Sequence, residues 1–458
     1  MKRRIPRIRV RFQKKVYTSR AGLKLLTRFA KWFGMRKLVE AHLVLPKRER
    51  KFTAADLVCS HLAMRCAGVR RISHCGEIGG DALVLELAGV EQFPSSDSLY
   101  DLLHMFAPSE EMFDEEGIRR LSSLVRMHEA FVRVFFEKSP WWKRRAQRVL
   151  TVDVDSHVQT VYGQQQGAAR GYNPRKKGRM SYHPLVATIS EIRMPLAGLF
   201  RGGDTNGRSE IVEFFDMVLE AIEASGLSPR VIQLRGDAGT VCEELLAACE
   251  GAGKVRYAFA VPGNRAFQAR LGGLKYKEVC PGVGVSEFFY GGKGTGWSRS
   301  RRVVVVRQSV KQLGDKAQGK LFGDLPNYRY QLIVTNKRCS SEAVWRFYNG
   351  RADSENVIKD LVEGVGMDAI PTGKFLANAA NFWLVLIAQT LLCAYRALVV
   401  KPLSKTIPMV RTLWERFLYW GGQIVRHGGR VYLDLAKGSA EAARFMALWQ
   451  QMDTLGVA

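Results

Sequence analysis

The chain has 458 residues, 47% apolar and 25% charged, enough to bury a large core, which excludes a disordered tail. Its formal net charge of +27 sets it apart from ordinary globular proteins and points to a polyanion partner, nucleic acid or an anionic membrane surface. Eight cysteines, with no CxxC pair and no zinc-like spacing to histidine, argue against a structural zinc site or a disulfide scaffold and fit a reducing, cytoplasmic setting.

The charge is concentrated at the start. Residues 1–51 hold 18 Lys and Arg against two acids, Glu40 and Glu49. MKRRIPRIRVRFQKK has no apolar run of the kind a secretory signal needs, and reads as a DNA-gripping arm. Helices are predicted in KLLTRFAKWFGMRKLVEAHLVL, from apolar spacings of three and four, and in YDLLHMF after the cap signal PSSDS. From Leu150 the pattern changes to period two: Leu150, Val152 and Val154 on one face, Thr151, Asp153 and Asp155 on the other, the mark of a half-buried strand. The basic stretch GYNPRKKGR reads as either a DNA-facing hairpin or a solvated turn. More strand follows in LVATISEIRMPLAGLF, then a helix in SEIVEFFDMVLEAIEAS, a short strand VIQLRGD and a helix in VCEELLAACEGAG.

VRYAFAVPG, GVSEFFYGG, RRVVVVRQSV and YRYQLIVTN then form a β-rich stretch. Its glycine-rich GGKGTGWSRSRR lacks the order of a P-loop; Lys293, Arg299, Arg301 and Arg302 are expected to face DNA backbone there. Helices return with SSEAVWRFYNGRADSENVIKDLVEG and the uncharged FLANAANFWLVLIAQTLLCAY. The latter has the length of a membrane span, but Asn378, Asn381 and Gln389 interrupt it, so a buried core helix and no membrane contact are expected. Trp345, Phe347, Phe382 and Trp383 are assigned to the core, and His74 and His183 to structural or surface positions.

The predicted class is therefore α/β, with a mixed core interrupted by a second, β-rich unit. Residues 1–145 form a basic helical DNA-binding region and 146–250 the first part of the core. Residues 251–335 form the β-rich insertion, 336–400 the second part of the core, and 401–458 a helical C-terminal region.

Three acids stand at informative places. Asp155 and Asp237 lie at the ends of predicted strands, where a carboxylate is held rigidly at the sheet edge. Glu355 lies on a predicted helix; on a wheel of about 100° per residue Tyr348, Arg351, Glu355 and Lys359 share one face, while Asp353 and Asp360 point away. Hard divalent cations favour such oxygen ligands, and a pair of them can activate water or a 3′-hydroxyl at a phosphodiester. Arginine suits phosphate and tyrosine suits an unpaired base. An ordinary solvated face of i, i+4 ion pairs has the same spacing.

The spacing of Tyr348, Arg351 and Glu355, with VDVDSHV and LRGDAGT, resembles the DDE transposases of bacterial insertion sequences. DVDSHVQTVYGQQQGAARGYNPRKKGRMSYHPL and YNGRADSENVIKDL are similar to the thirteen-eighty group, related to the group-four family with its Tyr-Arg-Glu-Lys helix. The resemblance implies an RNase H-like catalytic core with Mg²⁺, or Mn²⁺, held by Asp155, Asp237 and Glu355. It implies that Tyr348 and Arg351 contact the transposon end, the tyrosine steadying a flipped base. It also implies a homodimer on double-stranded DNA that cleaves insertion-sequence ends and joins the 3′-OH to a target. The 118 residues from Asp237 to Glu355 would house the family's β-rich insertion. Asp153 is a rival first ligand on the same strand face. Val362 stands where the group-four motif has lysine, and Lys359 could substitute. A catalytically inactive DNA-binding derivative and a stand-alone nuclease are the other functions compatible with these residues.

Overall fold

The computed structural model describes residues 14–46, 51–171, 173, 176–205, 208–292, 294–309, 328–404 and 406–457. Most of the basic N-terminal arm, the tip of GYNPRKKGR and Lys293 lie outside the described residues.

The front of the chain is helical: α1 (Leu23–Phe33), α2 (Met35–His42), α3 (Ala54–Cys66), α4 (Ala82–Ala88), α5 (Ser96–His104), α6 (Glu115–Glu137) and α7 (Pro140–Arg148). The starts are written locally. Thr53 and Asp56 form a capping box on α3, Ser95 of PSSDS caps α5, and Asp114 accepts from Gly117 N–H to start α6. The single helix expected around Gly34 is two, because Gly34 takes a left-handed φ of 86° and turns the chain.

A short strand β1 (Val16–Thr18) precedes these helices. The main sheet begins with β2 (Val149–Ser156). Small strands β3 (Gln159–Thr160), β4 (Ala169–Arg170) and β5 (Met180–Tyr182) form a separate three-stranded patch. Then come β6 (Leu185–Ile189), β7 (Met194–Leu199), helix α8 (Ile211–Ala224), β8 (Val231–Gly236), α9 (Glu243–Gly251), β9 (Val255–Ala260) and α10 (Arg265–Leu271). Strands β10 (Lys277–Cys280), β11 (Val283–Tyr290), β12 (Arg301–Ser309) and β13 (Tyr328–Thr335) follow, then α11 (Ser341–Asn349), α12 (Ala352–Lys359) and α13 (Phe375–Tyr395).

The nine-stranded sheet runs β10-β11-β12-β13-β9-β8-β2-β6-β7. β2, β8 and β9 are parallel, while β6 and β7 return antiparallel on one side of β2. The β-rich stretch is thus no separate unit: β13 pairs with β9, so β10 to β13 extend the same sheet. Its valine run explains why. In β12, Val303 and Val305 enter the main core, while Val304 and Val306 enter a second, smaller core beneath α11 with Val344, Trp345 and Tyr348. A strand buried on both faces reads as a continuous apolar run.

Every residue of α13 is buried, between the sheet and the N-terminal helices α3 and α6. It is the one helix among the described residues long and apolar enough to cross a membrane, and it lies wholly inside the protein. Its polar groups are partly used there: Asn381 accepts from Arg65 at 2.8 Å and Asn378 bonds Thr372. Residues 401–458, expected to be helical, include α14 (Ala440–Thr454) but also a hairpin, β14 (Gly422–His427) and β15 (Arg430–Asp434), on which β1 pairs. Gly428 and Gly429, both at positive φ, form the hairpin turn.

Candidate active site

In the parallel pair β2–β8, Val154 faces Gly236, so Asp155 and Asp237 stand side by side where the two strands end. Gly236 leaves room for the turn that follows and for β9: a Cβ there would lie 2.6 Å from Thr240 Oγ1 and 2.9 Å from the Phe259 ring. Asp237 is then fixed by its own turn, its Oδ1 accepting from Gly239 N–H at 3.0 Å and Thr240 N–H at 3.2 Å.

Asp155 is held from several sides. Ser156 N–H donates to Oδ1 at 3.0 Å, Ser354 Oγ donates to Oδ2 at 3.3 Å, and Arg351 Nη2 lies 3.1 Å from Oδ2. Burial pushes its carboxyl up to about 6; the Arg351 charge opposes this rise and Asp237 adds to it. Tyr348 is 6% exposed beside Arg351, its hydroxyl pushed up by burial. In this arrangement the ring faces core and not solvent.

Asp153, the rival on the same strand face, is 1% exposed and committed elsewhere. Arg235 Nε and Nη2 donate to its two oxygens at 2.6 and 2.9 Å. The same guanidinium donates to Ser190 Oγ and to Phe347 C=O, both at 2.6 Å, and lies 5.0 Å from the Phe347 ring centre. Asp153 therefore secures the end of α11 to the sheet through Arg235.

The stretch around Glu355 departs from the wheel. Tyr348 is on α11 and Glu355 on α12; between them, at Gly350 and Arg351, the bonds tighten to i→i+3, Arg351 N to Tyr348 O at 2.9 Å and Ser354 N to Arg351 O at 2.7 Å. The tighter winding advances each residue by about 120°, not 100°, which turns Ser354 toward Asp155 and leaves Glu355 exposed. The structure thus brings together Asp155, Asp237, Tyr348 and Arg351, but not Glu355. Among the described residues no three His, Cys, Asp or Glu side chains converge as a metal-holding group. Lys359 lies 3.9 Å from Glu363 on the surface, and Val362 packs against the core.

Ser354, Arg235 and His157, none of them assigned to the site from sequence, belong to its frame; His157 Nε2 lies 2.7 Å from Asp368 Oδ1. His183, also buried, has Nδ1 2.9 Å from Thr205 C=O. A signal for Arg235 was present: VDVD and LRGD each carry a charge two residues before the motif acid, and those charges are opposite. Three arginines expected to face DNA are paired within the protein: Arg299, still exposed, pairs with Glu250, and Arg301 and Arg302 are tied more deeply. Arg301, 3% exposed, bridges Glu243 and Glu250, and Arg302 pairs with Glu287 and donates to the carbonyls of Lys337 and Cys339.

Two carboxylates at adjacent strand ends, one resisting ionisation because it is buried and beside the other, suit a hard divalent cation. The Arg351 guanidinium supplies part of that charge.

Residues 2–457 match the protein family described as Transposase DDE domain group 1. No curated protein matches the chain. Among solved structures it is similar to the piggyBac transposase in a synaptic complex with hairpin DNA, at 11% identity and a TM-score of 0.45, over 86% of this chain and 78% of that one. It is also similar to the Mos1 transposase in a paired-end complex with the left transposon end, at 10% identity and a TM-score of 0.18, over 46% of this chain and 60% of that one.

Proposed function

Because the chain belongs to the Transposase DDE domain group 1 family, we propose that it cuts the ends of its own DNA element and joins the freed 3′-OH to target DNA. The observation that carries this reading is the pair Asp155 and Asp237 at the ends of adjacent parallel strands, with Arg351 beside them. The strand order β7-β6-β2-β8-β9, three antiparallel strands followed by two parallel ones, supports an RNase H-like core in which β10 to β13 are the insertion. The motifs DVDSHV and YNGRADSENVIKDL support placement in the thirteen-eighty group.

Asp155 and Asp237 would hold Mg²⁺ or Mn²⁺; Glu355, one residue from Ser354 on the exposed first turn of α12, would have to turn toward them to serve as the third carboxylate. When bound, such a cation polarises the scissile phosphate and lowers the pKa of an attacking water or hydroxyl. Ser354 and the backbone of Ser156 orient Asp155. Arg351, already facing the carboxylates, is placed to neutralise a phosphate oxygen of the incoming strand. Asp153, through Arg235, keeps α11 and the Gly350 junction in register with the strand ends.

The test is incubation of the protein with DNA carrying the inverted repeats that flank its gene, plus Mg²⁺. Wild type is expected to nick that DNA and join it to a second duplex, and Asp155→Asn, Asp237→Asn and Glu355→Gln to lose roughly 100-fold or more of both activities. A wild-type protein that neither nicks nor joins defeats the proposal; nicking without joining would favour a stand-alone nuclease.

A further inference from the structure

Away from the paired carboxylates, the polar side of β2 and β8 is hollowed where the strands begin, beside exposed Val149. A groove of about 780 Å³ lies there, against Trp141, Arg144, Arg145 and Arg148 of α7. A second hollow of about 440 Å³ shares Thr151, Glu191 and Gln233 with it and continues past Arg193 and Lys401 to Gly350 and Asp353, beside the candidate site. From Val149 to Asp155 the strand spans roughly 20 Å; the hollows follow it as far as Arg235, Phe347 and Gly350, next to the Arg351 that faces the carboxylates.

Its charge is unspent at the α7 end. Among the described residues Arg144, Arg145 and Arg148 are exposed and in no ion pair, whereas Arg193, Arg235 and Arg346 of the second hollow are paired with Asp353, Asp153 and Glu342. Lys401 and Arg145 flank one ring, Trp142, at 4.3 and 5.7 Å from its centre. Burial, and then the charge of Arg145, lower the Lys401 ammonium below its ordinary value, so two cations repel one another where an anion would relieve both. The groove's acid, Glu191, opposes them weakly, since burial pushes its carboxyl up. Trp141, next to these cations, is 53% exposed, an unusual cost for a large aromatic side chain.

We propose that this groove binds single-stranded DNA, Arg144, Arg145, Arg148 and Lys401 taking phosphates and Trp141 stacking an unpaired base. Unpaired cations interleaved with an exposed indole are the combination that single strands recognise. The inference rests on the proposed function, in which a strand must leave its partner near Asp155, and the groove gives that strand a path.

The test is fluorescence anisotropy of the full chain with labelled oligothymidylate of about 12 nucleotides, and with an unrelated duplex of equal length, across a salt series. Thermal melts check that the surface variants fold. Trp141→Ala is expected to weaken oligothymidylate binding roughly tenfold. The double variant Arg144→Gln/Arg148→Gln is expected to reduce its salt slope by about 1.4. Duplex binding should change little. Oligothymidylate binding that is unchanged in both variants overturns the proposal, as does duplex binding that weakens to the same degree. Cleavage of end DNA is scored separately: a wild type that binds oligothymidylate through the groove but never cuts would defeat the transposase reading and leave the groove standing.

Discussion

Asp153 and Asp155 stand two residues apart on one strand face, and their surroundings separate them. Asp153 is neutralised by a buried bidentate arginine; Asp155 is buried, opposed by Asp237 and only partly relieved by Arg351. Asp153→Asn should therefore cost about 3–5 kcal/mol in urea melts, because it leaves Arg235 buried without its counter-charge. A cost below about 1 kcal/mol would show that Arg235 is not clamped as described. Asp155 behaves oppositely with pH. Its folded value of about 6 lies above the ordinary 3.8, so the folded state holds the extra proton. Its contribution to stability is full below about pH 4 and is lost as pH rises through 6. A cation that replaces the proton should restore it. We expect Mn²⁺ to raise the melting temperature more at about pH 7.5 than at about pH 5, and Asp155→Asn to abolish the difference. Equal shifts at both pH values would refute this.

At the scale of elements, the decisive feature is the junction between α11 and α12. A Cβ on Gly350 would lie 2.4 Å from Arg235 Nη1, which is locked by its bonds to Phe347, Asp153 and Ser190. Gly350→Ala should cost about 1–3 kcal/mol and lower DNA cleavage by displacing Ser354 and Arg351. Gly251→Ala, where a Cβ meets nothing within 4 Å at the end of α9, should be neutral or slightly stabilising. Thermal melts and cleavage rates of the pair check both. This junction was beyond sequence reasoning, since Asn349-Gly350-Arg351 fits an uninterrupted helical wheel and only the arginine beneath it forces the tighter turn. The strand ends were legible, because the alternation in VLTVDVD and the turn after Asp237 are local signals. Pairing of β13 with β9 depends on partners about 75 residues apart, which no local period encodes. The same holds for β1, which joins β14 from the other end of the chain.

Across the whole molecule, one apolar core runs from α1 to α14 and contains two wholly buried histidines, His61 and His128. His128 Nε2 lies 3.0 Å from Thr390 Oγ1, and burial depresses its pKa to about 3; His61 is lowered well below its ordinary value by burial and by Arg65. Depressed folded values mean that the unfolded chain takes up protons first. The stability they confer is present above about pH 6.5 and declines as pH falls, by about 1.4 kcal/mol per pH unit for each histidine. Urea melts of wild type and His128→Asn between about pH 7 and 5 should show a shallower slope for the variant, and identical slopes would exclude this role.

The position of α13 also bears on how the chain is made. Its first residue follows the end of α6 by 238 positions, yet it is α13 that covers α6. At ordinary synthesis rates the apolar side of the front helices waits roughly 10–50 s for its cover, and during that time holdase chaperones and neighbouring nascent chains compete for it. Emergence of this one helix from the ribosome is the earliest moment at which the core between α6 and the sheet can close.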